Sequence, residues 1–272
     1  MVSAGLTWHR ATRCCENSLG DGTTGSHTRP VPDADAFRAL ARSSPWRWTT
    51  LRFTVRWPGH PWRTEPVRAW LRRPDRLRVE TLDGELLQVV HERGTSAALF
   101  GPGGGRTVTY PWPADGPAPV WRPDGLVAVR PERLSYDAPM YQSYDWVAML
   151  DPVELADGRA PETGEVAGSP GLEVETVTEV EHGGRPAWEA LVRTTPHYEP
   201  RCGCCPLLRS PEVDEQEYGR ARGPYPEVQR VRLDVQTGVC VLADDPEALG
   251  AGHDLRIEAV DEPISDTLFG SW

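Results

Sequence analysis

The sequence predicts an α+β fold in which an antiparallel sheet makes up most of the regular structure. Two groups of short strands carry this prediction, because apolar and polar residues alternate within them and turn residues separate them. The third observation is the stretch between the groups, residues 101–171, where proline and glycine are frequent and the alternation stops. We therefore expect a helix, a strand meander, an irregular helical middle section and a second meander.

The first group of strands follows a short helix at residues 34–42. Asp33 is placed to cap this helix, whose residues are helix formers with apolar positions on one side. The segment from Leu51 to Trp57 then alternates apolar and polar residues and is the clearest strand in the chain. Further strands separated by turn sequences are predicted at 67–71, 77–81, 86–91 and 97–100.

The middle section and the second group complete the order. Residues 141–156 predict two short helices that meet at Pro152, the second capped by Asp151. The second group begins with alternation from Val174 to Val180 and turns back at residues 182–184. Its later strands are predicted at 188–192, 231–235, 239–242 and 255–259.

The charge balance argues against a nucleic-acid partner. The 272 residues carry a formal net charge of -11, and arginine supplies all of the Lys+Arg count because lysine does not occur. Phosphate binding depends on a net basic surface, which this composition does not provide. A row of arginines is instead expected to line the outer, solvated face of the sheet: Arg52, Arg56, Arg68, Arg72 and Arg78.

Residues 1–33 are predicted to form a disordered tail that precedes a single domain of residues 34–272. The tail contains Cys14 and Cys15 but no apolar run of the length that a secretory signal requires. No other stretch approaches the ~18 apolar residues of a membrane helix. We therefore expect a cytoplasmic protein without integral membrane association.

Three segments of the sequence resemble segments of a known protein superfamily. The hairpin at residues 67–80 and the later segments 184–188 and 231–238 are similar to parts of the lipoprotein carriers, the LolA, LppX and RseB-like half-barrels. The resemblance covers residues 34–262 and implies a strongly curved antiparallel sheet, a half-barrel, wrapped around a few short helices. In that superfamily, the apolar space between sheet and helices binds acyl chains or a partner segment. From the residues at the start of the sequence, we expect the export signal of that family to be missing here.

The resemblance and the apolar strand faces together predict a groove for a lipid-like ligand or an apolar segment of a partner protein. A sheet with one apolar face and few long helices curls to bury that face, which leaves a crevice between sheet and helices. The same side chains at strand spacing also fit a plain core. The residues expected to line the crevice are Phe53, Val55, Trp70, Trp146, Val147, Leu150 and Trp188.

The densest group of reactive side chains is the motif Cys202-Gly203-Cys204-Cys205. Its three thiols cannot all pair with one another, and a disulfide between the adjacent Cys204 and Cys205 would be strained. A zinc or copper(I) ion held by the thiolates is one interpretation; a redox-responsive disulfide or a loop of free thiols are the others. The expected metal ligands are Cys202, Cys204 and Cys205, with either His197 or Cys240 as the fourth.

Recognisable catalytic motifs are missing from the sequence. It contains no nucleophile elbow and no histidine pair at metalloprotease spacing, and the glycine-rich residues 101–105 lack the lysine of a phosphate loop. The acid pairs Asp214-Glu215 and Asp244-Asp245 are expected in solvated loops. The sequence thus predicts a non-enzymatic binding protein with an apolar groove, or alternatively a regulatory protein whose cysteine cluster binds metal or senses redox state.

Overall fold

The structure, a computed structural model, describes residues 32–60, 63–91, 96–101, 104–159, 166, 168–244 and 252–270. The chain divides into a unit of Met1–Pro30, which lies outside the described residues, and a unit of Val31–Trp272, which contains every element named below. The predicted disordered tail therefore falls almost wholly outside the part of the chain that the structure describes.

The second unit is built mainly from strands. Their bounds are β1 (Thr50–Arg56), β2 (Val67–Arg72), β3 (Arg76–Thr81), β4 (Leu86–His91), β5 (Ser96–Gly101), β6 (Gly104–Thr109), β7 (Val120–Trp121), β8 (Val127–Val129), β9 (Leu172–His182), β10 (Arg185–Thr194), β11 (Gln229–Asp234), β12 (Cys240–Asp244) and β13 (His253–Val260). Nine of them form one sheet in the order β4-β3-β2-β1-β13-β12-β11-β10-β9. The pairs β5-β6 and β7-β8 form two separate two-stranded sheets.

The first and last strands of the chain join the two predicted meanders into one sheet. β1 pairs antiparallel with β13, so that Leu51 lies opposite Val260 and Val55 lies opposite Leu255. Hairpins extend the sheet outward from this central pair on both sides. Because β4 and β9 remain at opposite edges, the sheet is open. The predicted fold class, an α+β half-barrel of antiparallel strands with a few short helices, is confirmed.

Three α-helices lie among the described residues: α1 (Ala34–Ser43), α2 (Asp145–Leu150) and α3 (Pro211–Tyr218). The Asp33 carboxylate caps α1 by accepting a hydrogen bond from the Ala36 N–H at 2.8 Å. α2 is followed by a single 3₁₀ turn at Val153–Leu155, and the predicted Asp151 cap is wrong, because the Asp151 carboxylate accepts hydrogen bonds from Arg130 and Arg201 instead. Residues 214–215 lie in α3, so the expectation of a solvated loop there is wrong.

The inner face of the sheet packs against α1 and α2. Phe37 and Leu40 of α1, Trp146 of α2 and Phe53 of β1 are at most 1 % exposed. The ring centroids of Phe53 and Trp146 lie 5.3 Å apart. Burial of each such side chain stabilises the fold by ~1.5–3 kcal/mol, so this layer contributes substantially to stability.

The outer face of the first strands is polar, and its charges are paired. Each of the five arginines predicted there contacts a carboxylate, four of them on another element and one on its own strand. Exposed pairs of this kind are worth ~0–1 kcal/mol each. The pairs are Arg52–Glu258, Arg56–Asp254, Arg68–Glu258, Arg72–Asp266 and Arg78–Glu80. Across the described residues, no helix has the length and apolarity that crossing a membrane requires.

Candidate functional site

The candidate site is the cysteine loop, which we define as residues 198–208. It connects the end of β10 to the start of α3 and carries three cysteines, Cys202, Cys204 and Cys205, called the cysteine trio below. The loop contains no strand or α-helix of its own. Its shape therefore comes from turns and side-chain contacts.

Glu154 holds both ends of the cysteine loop. This residue of the 3₁₀ helix is only 2 % exposed. Its Oε1 accepts hydrogen bonds from the Tyr198 hydroxyl at 2.7 Å and from the Leu207 N–H at 3.0 Å. Its Oε2 accepts one from the Arg201 N–H at 2.8 Å. Because these donors come from both sides of the trio, a single carboxylate fixes the two ends of the loop.

The same carboxylate is a buried titratable group. Burial raises the pKa of Glu154, and the hydrogen bonds from Arg201, Tyr198 and Leu207 oppose this shift without cancelling it. A buried acid of this kind is tolerated because its oxygens have partners. The anchor of the loop is therefore sensitive to pH.

Arg201 fixes the backbone immediately before the first cysteine. Its guanidinium donates to Asp151 Oδ2 at 2.6 Å and to Asp137 Oδ1 at 2.5 Å. Arg130 donates to both oxygens of the same Asp151, at 2.9 and 2.7 Å. Burial lowers the pKa of Arg201, but the charges of Asp151 and Asp137 outweigh burial and raise it overall. Removing one member of a buried ionic cluster leaves the others uncompensated, so these contacts are costly to break and hold Arg201 in place.

The three sulfur atoms of the trio converge. Cys202 Sγ lies 2.9 Å from Cys204 Sγ, and Cys204 Sγ lies 3.8 Å from Cys205 Sγ. All three lie within 4.8 Å of one another, with Cys204 exposed and the other two half-buried. A turn brings them together, in which the Cys205 N–H donates to the Cys202 carbonyl at 3.2 Å. The trio can therefore offer three ligand atoms to one ion.

The three thiols differ in acidity. Burial raises the pKa of Cys202, but hydrogen bonds from Cys204 and Cys205 stabilise its thiolate and lower that pKa overall. The pKa of Cys204 is raised by its hydrogen bond to Cys202 and by burial, and the pKa of Cys205 is raised chiefly by burial. Cys202 is thus the most acidic sulfur of the trio, and a cation that replaced the shared protons would bind all three.

The two residues predicted as a fourth ligand do not join the trio. Among the described residues, the ligand atoms that come together here are those of the three cysteines. Cys240 begins β12 and is buried, where its Sγ donates to the Leu242 carbonyl at 3.3 Å. The backbone N–H of His197 is bonded to Thr195 Oγ1 at 3.1 Å, and its ring is not part of the cluster.

The residues predicted to line an apolar groove lie mostly in the core. Five of them are at most 1 % exposed: Phe53, Val55, Trp146, Val147 and Leu150. Trp188 of β10 is 7 % exposed and belongs to the same core. Trp70 is half-buried on the outer face, where it lies opposite Arg52, so the structure does not bring it to the others. The groove stays a prediction.

A cleft of about 350 Å³ opens beside the trio. Cys204 and Cys205 line it together with Trp57, Arg63 and Asp145. Arg63 forms an ion pair with Asp145 and lies over the ring of Trp57, 4.6 Å from its centroid. The cleft gives an ion or a small molecule access to the exposed side of the trio.

The comparisons with known proteins assign no family. No protein-family model matches the chain, and no curated protein matches it. Among solved structures, the chain is similar to one in the complex structure of MucA/MucB from Pseudomonas aeruginosa, with 16 % identity and a TM-score of 0.34. The match covers 87 % of this chain and 60 % of that chain, so this chain spans less than two thirds of its length. This is a weak structural relation, and what the lipoprotein-carrier resemblance implies stays an expectation.

Proposed function

We propose that this chain is a non-enzymatic binding protein that holds one d¹⁰ metal ion, zinc or copper(I), at the cysteine trio. The observation that carries the proposal is the convergence of three sulfur atoms within 4.8 Å of one another. Thiolates are the ligands that both ions favour. Cys202, Cys204 and Cys205 would hold the ion, and the metal would act by stabilising one conformation of the loop.

The spacing of the sulfurs is close to that of a metal site. Tetrahedral zinc with ~2.3 Å bonds to sulfur places its sulfur ligands ~3.8 Å apart. Cys204 and Cys205 already have this separation of 3.8 Å. Cys202 and Cys204 lie closer, at 2.9 Å, so they must separate by about 0.9 Å. Cys204 is exposed and can make that movement without disturbing the core.

The anchored loop lowers the cost of binding. Ordering a flexible segment around a ligand consumes free energy that would otherwise contribute to affinity. Here the contacts of Glu154 and Arg201 order the backbone on both sides of the trio before any ion binds. This arrangement favours a binding site over a loop of free thiols.

The proposal is tested by native mass spectrometry of the reduced, full-length chain. Cys14 and Cys15 are changed to serine in every sample, so that only the described cysteines can bind. Addition of zinc or copper(I) should give a complex with one ion per chain, which the Cys202→Ser, Cys204→Ser, Cys205→Ser triple variant should lose.

The matched control is Cys240→Ala, which removes a cysteine outside the trio and should retain the ion. Circular dichroism verifies that each variant is folded. Retention of the ion by a folded triple variant, or no bound ion in the parent chain, would contradict the proposal.

An apolar groove for a lipid-like molecule or a partner segment is the weaker candidate. Its predicted residues fill the core, since Trp146 and Leu150 are 0 % exposed. A ligand there would have to displace the packed rings around Trp146. Organic extraction of the purified protein tests this candidate, which fails if no amphipathic molecule is recovered and no apolar probe binds.

A further inference from the structure

A site of three thiolates needs a fourth ligand. Structural zinc sites have four protein ligands, and a site with three protein ligands leaves one position for another donor. His197 and Cys240, the residues that the sequence suggests, do not join the trio. The question is therefore which other side chain of the described residues lies near enough to the loop to move to the trio.

Glu217 is an exposed acid beside the loop; its oxygens, like the ligand atoms of His197 and Cys240, are not part of the converging group, so its side chain must turn toward the trio to bind an ion. It lies in the last turn of α3, which begins under the Ser210 cap and ends at Gly219 in the left-handed region with φ 71°. Its carboxylate lies against Gly203, the residue between the first two cysteines. A Cβ atom at position 203 would lie 2.6 Å from Glu217 Oε2, so the absence of a side chain at Gly203 lets the carboxylate approach the loop.

The surroundings of Glu217 favour a cation. The negative end of the helix dipole lies at the last turn of α3, where a carboxylate is destabilised by ~0.3–1 kcal/mol. Within the described part of the chain, no hydrogen bond or ion pair involves this carboxylate. The neighbouring thiols would add further negative charge on metal binding. A divalent cation between the trio and Glu217 would offset both effects.

We infer that the Glu217 carboxylate is the fourth ligand of the trio and that the site selects zinc over copper(I). This inference rests on the proposed function. Zinc accepts carboxylate oxygen at ~2.0–2.2 Å beside thiolate sulfur, whereas copper(I) is soft and takes thiolates. The negative charges of three thiolates and one carboxylate exceed the positive charge of a zinc ion. Arg209 and Arg222 line the cleft next to the trio and supply positive charge that would offset this excess.

The inference is tested by titrating zinc against a competing chelator in the full-length chain with Cys14 and Cys15 changed to serine. Glu217→Gln should weaken zinc binding by at least ~10-fold, the lower end of the loss seen when even an outer-shell partner is removed. Glu215→Gln is the matched control, because Glu215 is an exposed acid of the same helix and should leave zinc affinity unchanged. Copper(I) affinity should be the same in both variants.

The possible results separate the two claims. Equal zinc affinity in Glu217→Gln and Glu215→Gln, with zinc still dependent on the trio, overturns the role of Glu217 alone. A Glu217→Gln variant that loses zinc and copper(I) affinity equally overturns the selectivity. No zinc binding by the parent chain overturns both this inference and the proposed function. Since both glutamates are exposed, each variant is expected to fold, and circular dichroism verifies this.

Discussion

The core around Trp146 and the cysteine loop are held in place by different interactions. Trp146 is 0 % exposed, and its ring centroid lies 5.3 Å from that of Phe53, 5.7 Å from that of Tyr141 and 6.1 Å from that of Trp57. The loop instead depends on hydrogen bonds to the buried Glu154 carboxylate and on the ion pairs of Arg201, and it leaves a sulfur exposed. The difference indicates that the core supplies stability, whereas the loop can change its chemistry without unfolding the sheet.

The largest expected effect comes from the core. Trp146→Ala should lower the free energy of unfolding by ~3–5 kcal/mol, because it leaves a large cavity among packed rings. Urea unfolding measures this change. Trp121→Ala is the matched control, since Trp121 is 48 % exposed and its loss should cost less than ~0.5 kcal/mol. A loss of under ~1 kcal/mol for Trp146→Ala would mean that the space around this ring is loosely packed, as a ligand groove requires.

The second effect concerns the anchor of the loop. In Glu154→Gln, an amide NH₂ group replaces one of the two acceptor oxygens. This donor would then face another donor, the backbone N–H of either Arg201 or Leu207. We expect a loss of ~1–3 kcal/mol in the free energy of unfolding, the usual cost of leaving a buried polar group without a partner. Zinc affinity should fall as well, because the loop is then less ordered.

The difference in the free energy of unfolding between the wild type and Glu154→Gln should change with pH in a direction that the pKa of Glu154 determines. The pKa of Glu154 is raised above its ordinary value of 4.5 in the folded state, so the folded chain keeps a proton that the unfolded chain releases. Protonation therefore contributes stability at low pH, and that contribution is lost as pH rises through the raised pKa. The stability of the wild type relative to Glu154→Gln should fall as pH rises above about 4.5. A difference that grows with pH would show that the carboxylate is stabilised in its charged form.

The smallest effect is expected on the outer face. Trp70→Ala should cost ~1 kcal/mol in urea unfolding, less than Trp146→Ala, because Trp70 is only half-buried among a mixture of polar and apolar residues. A cost equal to that of Trp146→Ala would show that both tryptophans belong to one apolar layer.

Burial on one face of the sheet explains which elements the sequence could predict. Alternation predicted β1 closely, since this strand buries every second side chain, whereas in β9 only Leu172 is buried and β10 buries both Ala187 and Trp188. The same alternation also gives the position of Trp70, because Val67, Ala69 and Leu71 occupy the buried phase and leave Trp70 in the exposed one. The alternation therefore placed Trp70 on the exposed face, but Trp70 was predicted to lie in the groove because its side chain is large and apolar.

The site could be predicted only in part. The motif at residues 202–205 identified the trio, whereas α3 lacks an apolar stripe and was missed. Ser210 followed by Pro211 was a local signal for its start. No local signal exists for Glu154, because its partners lie 44 to 53 residues away in the sequence.

The most direct test of the central claim is X-ray absorption at the zinc edge of the reduced, zinc-loaded chain with Cys14 and Cys15 changed to serine. Three sulfur atoms at ~2.3 Å and one oxygen at ~2.0 Å are the result that we predict. A zinc environment of oxygen and nitrogen alone, or a chain that retains no zinc, would contradict the assignment of the cysteine trio as the binding site.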